Sequence, residues 1–381
     1  MPWSPRDTMS LRHEFVLLAQ RPGCNRRELC RRFQISPQTG YKWLARHAMQ
    51  GEPGLLDRSR RPQASPAQTA APIEQAVVTL RRQHPAWGGR KISRRLQDLG
   101  MSPVPAPSTV TSILHRYGLI TPHASALAAP WQRFEHEAPN DLWQMDFKGY
   151  FTTRDGKSCS PLTVLDDHSR FSVILRACHS TRSDIVQQHL RDAFGRYGLP
   201  WRINTDNGSP WGSPTQPGQL TGLAVWLIRL GVRLSYSQPA HPQTNGKDER
   251  FHRTLKAEVL AGRSFASCRH VQQALNAWRT VYNQQRPHQA LGMATPITRY
   301  RPSQRALPRR LPSIVYGPND TVITVGWNGE LRFAGRRWRV SNALDHLPIA
   351  LRPDPRKDGR YDLYFAHHCF GYLDLNSPAR A

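Results

Sequence analysis

Apolar positions change their period along the chain. In the first fifty residues Leu11, Phe15, Leu18 and Ala19 recur at helical spacing. Arg26 to Phe33 follows as a short second helix with Leu29 and Phe33 on one face. Ser36-Pro37 supplies an N-cap and a first-turn proline, so the next helix is predicted over about Gln38 to His47, with Trp43 and Leu44 inward. Helix, turn and capped helix form a helix-turn-helix pattern. It offers Gln38, Thr39, Lys42 and Arg46 to a DNA groove. The pattern then repeats more loosely. Ile73, Val77 and Leu80 share a face, Gly88-Gly89 breaks the chain, Ile92 and Leu96 continue, and Val110, Ile113, Leu114 and Tyr117 follow a Pro-rich turn. This second candidate carries Arg90, Lys91, Arg94, Arg95 and Arg116 as phosphate contacts.

From about residue 140 the pattern alternates between strand-like and helix-like runs, which predicts a mixed α/β domain. Strands are expected over Trp143–Phe151, Ser160–Asp166, Phe171–Ala177, Trp201–Thr205 and Val232–Ser237. Helices are expected over Ser183–Tyr197, Leu220–Leu230, Asn245–Leu260 and Val271–Asn283. After a basic hinge at 299–311, short β runs are separated by Asn328-Gly329, Ala334-Gly335 and Lys357-Asp358-Gly359. Turns at that spacing predict an antiparallel barrel or sandwich, and we take the barrel. The expected division is a helix-turn-helix module over 1–60, a second helical module with linkers over 61–130, an α/β domain over 131–300 and a small β barrel over 313–375. Residues 51–71, with Arg58, Arg60 and Arg61, and 121–139 have linker composition.

Charge narrows the class of partner. The chain of 381 residues has 53 Lys and Arg against 27 Asp and Glu, a net charge of +26, which suits a polyanion, and nucleic acid above others. The apolar runs are too short for a membrane span, and the N-terminus has no apolar signal core. Six scattered cysteines form no CxxC pair, so neither a disulfide framework nor a zinc knuckle is expected, and a reducing cytoplasm fits.

Three carboxylates stand out against this basic background. Asp146 lies in an apolar strand, Trp143-Gln144-Met145-Asp146-Phe147. Asp206 follows an apolar strand and opens Asp-Asn-Gly, at the strand end where α/β sheets bind ligands. Glu249 lies in a charged helix. At about 100° per residue, Arg253 and Lys256 fall within about 40° of it, whereas Phe251, Leu255 and Val259 fall opposite. Asp248 adjoins Glu249, but it is rotated about 100° to another face, so phase favours Glu249. Carboxylates on two strands and one helix suit Mg²⁺ or Mn²⁺, with two ions per site able to activate one oxygen and stabilise another. A solvated charged face is the plainer reading. Asp166 and Asp167 are read as turn caps before His168-Ser169-Arg170. His367-His368-Cys369 resembles a ligand set in composition only.

The ordered runs LWQMDFKG, VLDDHSRF, TDNG, HPQTNGKDERFHRTLKAE and YNQQRPHQAL with TP resemble the integrase-core transposases of bacterial insertion sequences, nearest the group called IS "four-eighty-one". The resemblance implies an RNase-H-like core with a DDE triad, carried over as Asp146, Asp206 and Glu249. It implies metal-dependent cleavage at transposon ends and attack of a 3′-hydroxyl on target DNA. Lys247, Arg253 and Lys256, with His241 and Asn245, would position the DNA end. Tyr282, Asn283, Arg286, Pro287 and His288 are read as structural. The spacing departs from many such enzymes: 42 residues separate Asp206 from Glu249, with Ser209–Gly218 as an apparent loop insertion. The implied protein is a bacterial cytoplasmic, nucleoid-associated transposase that binds terminal inverted repeats as a homo-oligomer on double-stranded DNA, with no membrane partner. Its rivals are a DNA-binding regulator without catalysis and a nuclease that only hydrolyses.

Overall fold

The computed structural model describes residues 7–58, 68–120, 135–212, 219–236 and 246–377. The chain divides into two compact units, Met1–Gln68 and Thr69–Ala381. Arg60, Arg61, His241 and Asn245 lie outside the described residues, as does 213–218 of the expected insertion.

The first unit is three helices, α1 (Thr8–Ala19), α2 (Arg26–Arg32) and α3 (Pro37–Gln50). The Asn25 side chain caps α2. The Ser36 hydroxyl accepts from the Thr39 N–H at 3.2 Å, with Pro37 in the first turn of α3, as the sequence predicts. Phe15, Val16, Ala19, Leu29, Cys30, Trp43 and Leu55 form the core. Leu11, expected inward, is exposed, and Val16 takes its place. Gly40 is required by packing, because a Cβ there would meet Cys30 Sγ at 2.6 Å.

In the second unit, α4 (Ala71–Gln83), α5 (Gly89–Asp98) and α6 (Pro107–Arg116) enclose Val77, Trp87, Ile92, Leu96, Val110 and Ile113. Val281 of α10 (Cys268–Gln284) packs against this cluster. The central sheet contains β1 (Trp143–Phe147), β2 (Phe151–Thr152), β3 (Ser158–Asp166), β4 (Ser172–Cys178), β5 (Arg202–Thr205) and β6 (Arg233–Tyr236). Its order is β2-β3-β1-β5-β6, with β4 also paired to β3. Strands β1, β5 and β6 are parallel, and β3 runs antiparallel to β1 and β4. Helices α7 (Ser183–Tyr197) and α8 (Gly222–Arg229) cover one face over Trp143 and Met145. Helices α9 (Gly246–Leu255) and α10 cover the other over Cys159, Leu165 and Leu175. The result is a three-layer α/β/α arrangement. The expected long helix over 245–260 changes to a π-helical turn at Lys256–Leu260.

After α11 (Pro296–Arg299), the last strands are β7 (Thr321–Thr324), β8 (Glu330–Phe333), β9 (Arg336–Arg339), β10 (Pro348–Pro353), β11 (Arg360–Phe365) and β12 (His368–Asp374). They differ from the expected barrel. Among the described residues β12-β11-β10-β7 is an open antiparallel sheet and β8-β9 a separate hairpin, so no sheet closes. The apolar face of this module is covered instead by Leu220, Ala224, Val225 and Ile228 beside and on α8. With that cover, burial needs no closure.

Candidate active site

Strand alternation directs the side chains of β1. Trp143 and Met145 enter the core beneath α7 and α8, while Gln144 and Asp146 point to the α9 side. Asp146 is directly opposite Thr163 of β3. It accepts the Phe147 N–H at 2.7 Å. Burial, then the neighbouring Asp206 and Glu249, push its carboxyl up to about 6, against the Phe147 N–H and Lys148. Asp206 follows β5, is exposed, and accepts the Gly208 N–H at 3.1 Å. Strands β1 and β5 are adjacent and parallel, so both acids stand at the same end of the sheet.

Helix α9 supplies the rest. Its inward face is the one that helical phase selects: Phe251, Leu255 and Val259 are buried, whereas Glu249, Arg253 and Lys256 are exposed. Between these faces lie Asp248 and His252, one turn apart and both buried. Thr163 Oγ joins them to β1, donating to the Asp146 carbonyl at 3.0 Å and meeting His252 Nε2 at 2.8 Å and Asp248 Oδ1 at 3.3 Å. His252 Nδ1 is 3.9 Å from Asp146 Oδ2. Burial, then Lys148, push the imidazole down to about 3, so it is neutral. Burial, then Asp146 and Glu249, push the Asp248 carboxyl well above its usual range. Its Oδ2 has no hydrogen-bond partner among the described residues.

Asp146, Asp248 and His252 each present a ligand atom, all within 4.8 Å of one another. Asp206 and Glu249 act on Asp146 through their charge. Crowded carboxylates, with an orphaned oxygen among them, are the donor set that a hard divalent cation satisfies. Sequence reasoning named Asp146, Asp206 and Glu249 and set Asp248 aside. It missed His252 and Thr163. The i, i+4 spacing of Asp248 and His252 was a usable signal, but Thr163 is brought in only by strand register.

The basic residues have varied fates. Gln38 and Lys42 are exposed on α3, Thr39 is half-buried, and Lys42 and Arg46 lie 4.6 and 5.1 Å from the Trp43 ring. Arg90 is exposed. Arg94 pairs with Asp98 at 2.8 Å and Arg116 with the buried Glu74 at 2.7 Å. Lys91 is turned into the protein near Arg286 and Glu258, and burial lowers its ammonium to about 8. Lys247 pairs with Asp167, which also accepts from Gln144 Nε2 at 2.8 Å and the His136 N–H at 3.0 Å. Asp166 caps its turn, accepting from the N–H groups of Asn140 and Ser169 at 2.7 and 2.8 Å. Glu258 was not singled out in the sequence. It is buried where α10 meets the π-helical turn, accepting from Trp278 Nε1 at 2.7 Å and Arg286 Nε at 3.2 Å.

Comparison with known proteins gives an ordered set of matches. Residues 136–242 and 230–296 match integrase core domains. Residues 11–63 match a helix-turn-helix domain and 39–114 a homeodomain-like domain. Residues 320–380 match the C-terminal domain of the IS481 family of transposases. A 31.7 kDa protein of insertion element IS407 from Burkholderia multivorans is 31% identical over 159 residues, 42% of this chain and 54% of that protein. A 39.2 kDa protein of insertion element IS476 from Xanthomonas euvesicatoria is 30% identical over 158 residues, 42% of this chain and 43% of that protein. The chain thus spans about half the length of the curated relatives it matches. The HTLV-2 integrase catalytic core, solved in complex with magnesium, is 17% identical with a TM-score of 0.33, covering 43% of this chain and 97% of that one.

Proposed function

We propose that this chain, which combines helix-turn-helix and integrase core domains with the C-terminal domain of IS481 family transposases, is a DDE transposase. It binds the terminal inverted repeats of an insertion sequence and carries out strand cleavage and strand transfer. The observation that carries this reading is the meeting of Asp146 with the charges of Asp206 and Glu249 inside a chain of net charge +26. Acids gathered on a basic protein would repel phosphate unless a cation lay between them.

Asp146, Asp206 and Glu249 are the proposed ligands of two Mg²⁺ or Mn²⁺ ions. Bound there, such ions would supply the positive charge that an in-line displacement at phosphorus requires. The protein's part is to hold the groups still. Asp146 is fixed by the Phe147 N–H and by the register of β1 with β3. Asp206 is fixed by the Gly208 N–H. In the chain without DNA the Lys247–Asp167 pair ties the start of α9 to the end of β3. Asp248, buried with Thr163 and His252, packs beside Asp146. Water attacks a phosphodiester at the transposon end and frees a 3′-hydroxyl; that hydroxyl then attacks a target phosphodiester and expels the next 3′-oxygen. Positioning and electrostatics provide the acceleration, with no protein nucleophile.

Gln38, Thr39, Lys42 and Arg46 are the proposed base and phosphate contacts of the first helix-turn-helix. Arg90, Lys91, Arg94, Lys247, Arg253 and Lys256 are proposed to track phosphate, after rearrangement for those now paired. Two ends must be joined, so a homo-oligomer on double-stranded DNA, in the bacterial cytoplasm at the nucleoid, completes the proposal. We retain a four-part division at 1–60, 61–130, 131–300 and 313–375. The test is incubation with Mn²⁺ and a labelled duplex carrying the element's own end, beside Asp206→Asn. Joined products from the parent alone support the transposase. Nicks without joining indicate a nuclease, and binding without cleavage indicates a regulator.

A further inference from the structure

We infer that Arg202, Arg233, His367 and His368 form a phosphate-binding pocket that grips DNA backbone at a point remote from the catalytic carboxylates; the inference rests on DNA being the substrate. Arg202 opens β5 and Arg233 opens β6, and the two are paired in register on parallel strands. Paired residues project to the same face, with strands about 4.8 Å apart. β6 is the edge of the central sheet. Across that edge the turn between β11 and β12 brings in His367, which lies against the Val232 backbone, and then His368. These four side chains and Ser235 line a pocket of about 310 Å³.

The charge of this pocket is uncompensated. No carboxylate lines it, and no ion pair among the described residues uses Arg202 or Arg233. Arg202 is half-buried and Arg233 exposed, whereas other arginines of the same unit find oxygen. Arg305 donates to the Pro200 and Gly231 carbonyls at 2.5 and 2.9 Å, Arg279 to the Ser172 and Val173 carbonyls at 2.8 and 2.6 Å, and Arg116 to Glu74. A phosphate would supply the acceptors missing here, because guanidinium forks match its oxygens. The His and Cys composition of this turn suggests a cation site, but two neighbouring arginines would repel a cation. The ligand-spaced His/Cys/Asp/Glu group among the described residues is the one at Asp146. Arg202 stands four residues before Asp206, roughly 13 Å along the strand, so the phosphate held here is not the one cut.

The experiment measures binding of a random-sequence duplex across a salt series in chelator, so that no cleavage intervenes. Each phosphate contact contributes about 0.9 to the slope of log affinity against log salt. The double variant Arg202→Gln, Arg233→Gln should have a slope shallower by about 0.9 to 1.8, while Arg202→Lys, Arg233→Lys keeps the parent slope. An unchanged slope in the Gln pair overturns the pocket. So does binding of inorganic phosphate, seen as shifts of the His367 and His368 resonances, with the duplex slope unchanged. If the Gln pair fails to fold, Arg233→Gln alone carries the test, with a smaller change in the same direction expected. Failure of the parent to bind duplex would overturn the proposed function instead.

Discussion

Replacing Asp146 with Asn should strengthen the fold while removing the reaction. The carboxyl is raised from 3.8 to about 6, first by burial and then by Asp206 and Glu249. Its ionised form is therefore disfavoured in the folded state and free of that cost in the unfolded one. Each pKa unit corresponds to about 1.4 kcal/mol, so ionisation costs the fold up to about 3 kcal/mol. The side chain keeps 32% of its exposure, and solvent screening reduces this to about 1–2 kcal/mol. The substituted amide would carry no charge, and its oxygen could still accept the Phe147 N–H. The sign is fixed by linkage. Below 3.8 the acid is protonated in both states and its full stability is present; this is lost as pH rises through about 6. The advantage of Asp146→Asn should therefore be small at pH 4.5 and greatest at pH 8. Denaturant unfolding at the two pH values, in chelator, is the assay. Adding Mn²⁺ at pH 8 should then stabilise the parent and not the variant, because a ligand of the folded state shifts its equilibrium. A variant less stable than the parent at pH 8, or an advantage equal at both pH values, would refute the argument that crowded acids set the energetics here.

Other expectations follow the same geometry. Asp206→Asn and Glu249→Gln should each lower cleavage by at least about 10²-fold, the scale of losing one electrostatic stabiliser, while duplex binding in chelator is unchanged. Glu258→Ala should destabilise by about 3–5 kcal/mol in denaturant unfolding, because it leaves Arg286 buried without its partner. Lys247→Met removes the cation from the buried Asp167 and leaves it only the Gln144 and His136 donors, so stability and cleavage should fall together. Ser36→Ala should cost about 1 kcal/mol, read by local hydrogen exchange in the first unit, through loss of the cap on α3.

Periodicity carried much of this architecture. Helix α7 falls on the residues the sequence predicts, and the buried face of α9 follows from phase. Strand β12 carries little sequence signal, because its run, His368–Asp374, is interrupted by Gly371 and does not alternate cleanly. Turn spacing points to a small β module, but short strands between tight turns do not say whether the last edge meets the first, and among the described residues no sheet closes. Ala334 and Gly335 do form the expected turn, both at positive φ.

The sequence alone determined where most helices lie, where the capped third helix of the first unit begins and that the protein is strongly basic. These are local or compositional properties, fixed by period, capping and charge. Tertiary structure decided the rest. It turned Lys91 inward and tied Lys247 to Asp167. It buried Asp248 with Thr163 and His252, and joined Arg202 and Arg233 to a turn more than a hundred residues away. The physical reason is that a side chain's charge state and partner depend on what is packed against it. Strand register and helix docking bring those neighbours from distant parts of the chain, where no local period records them.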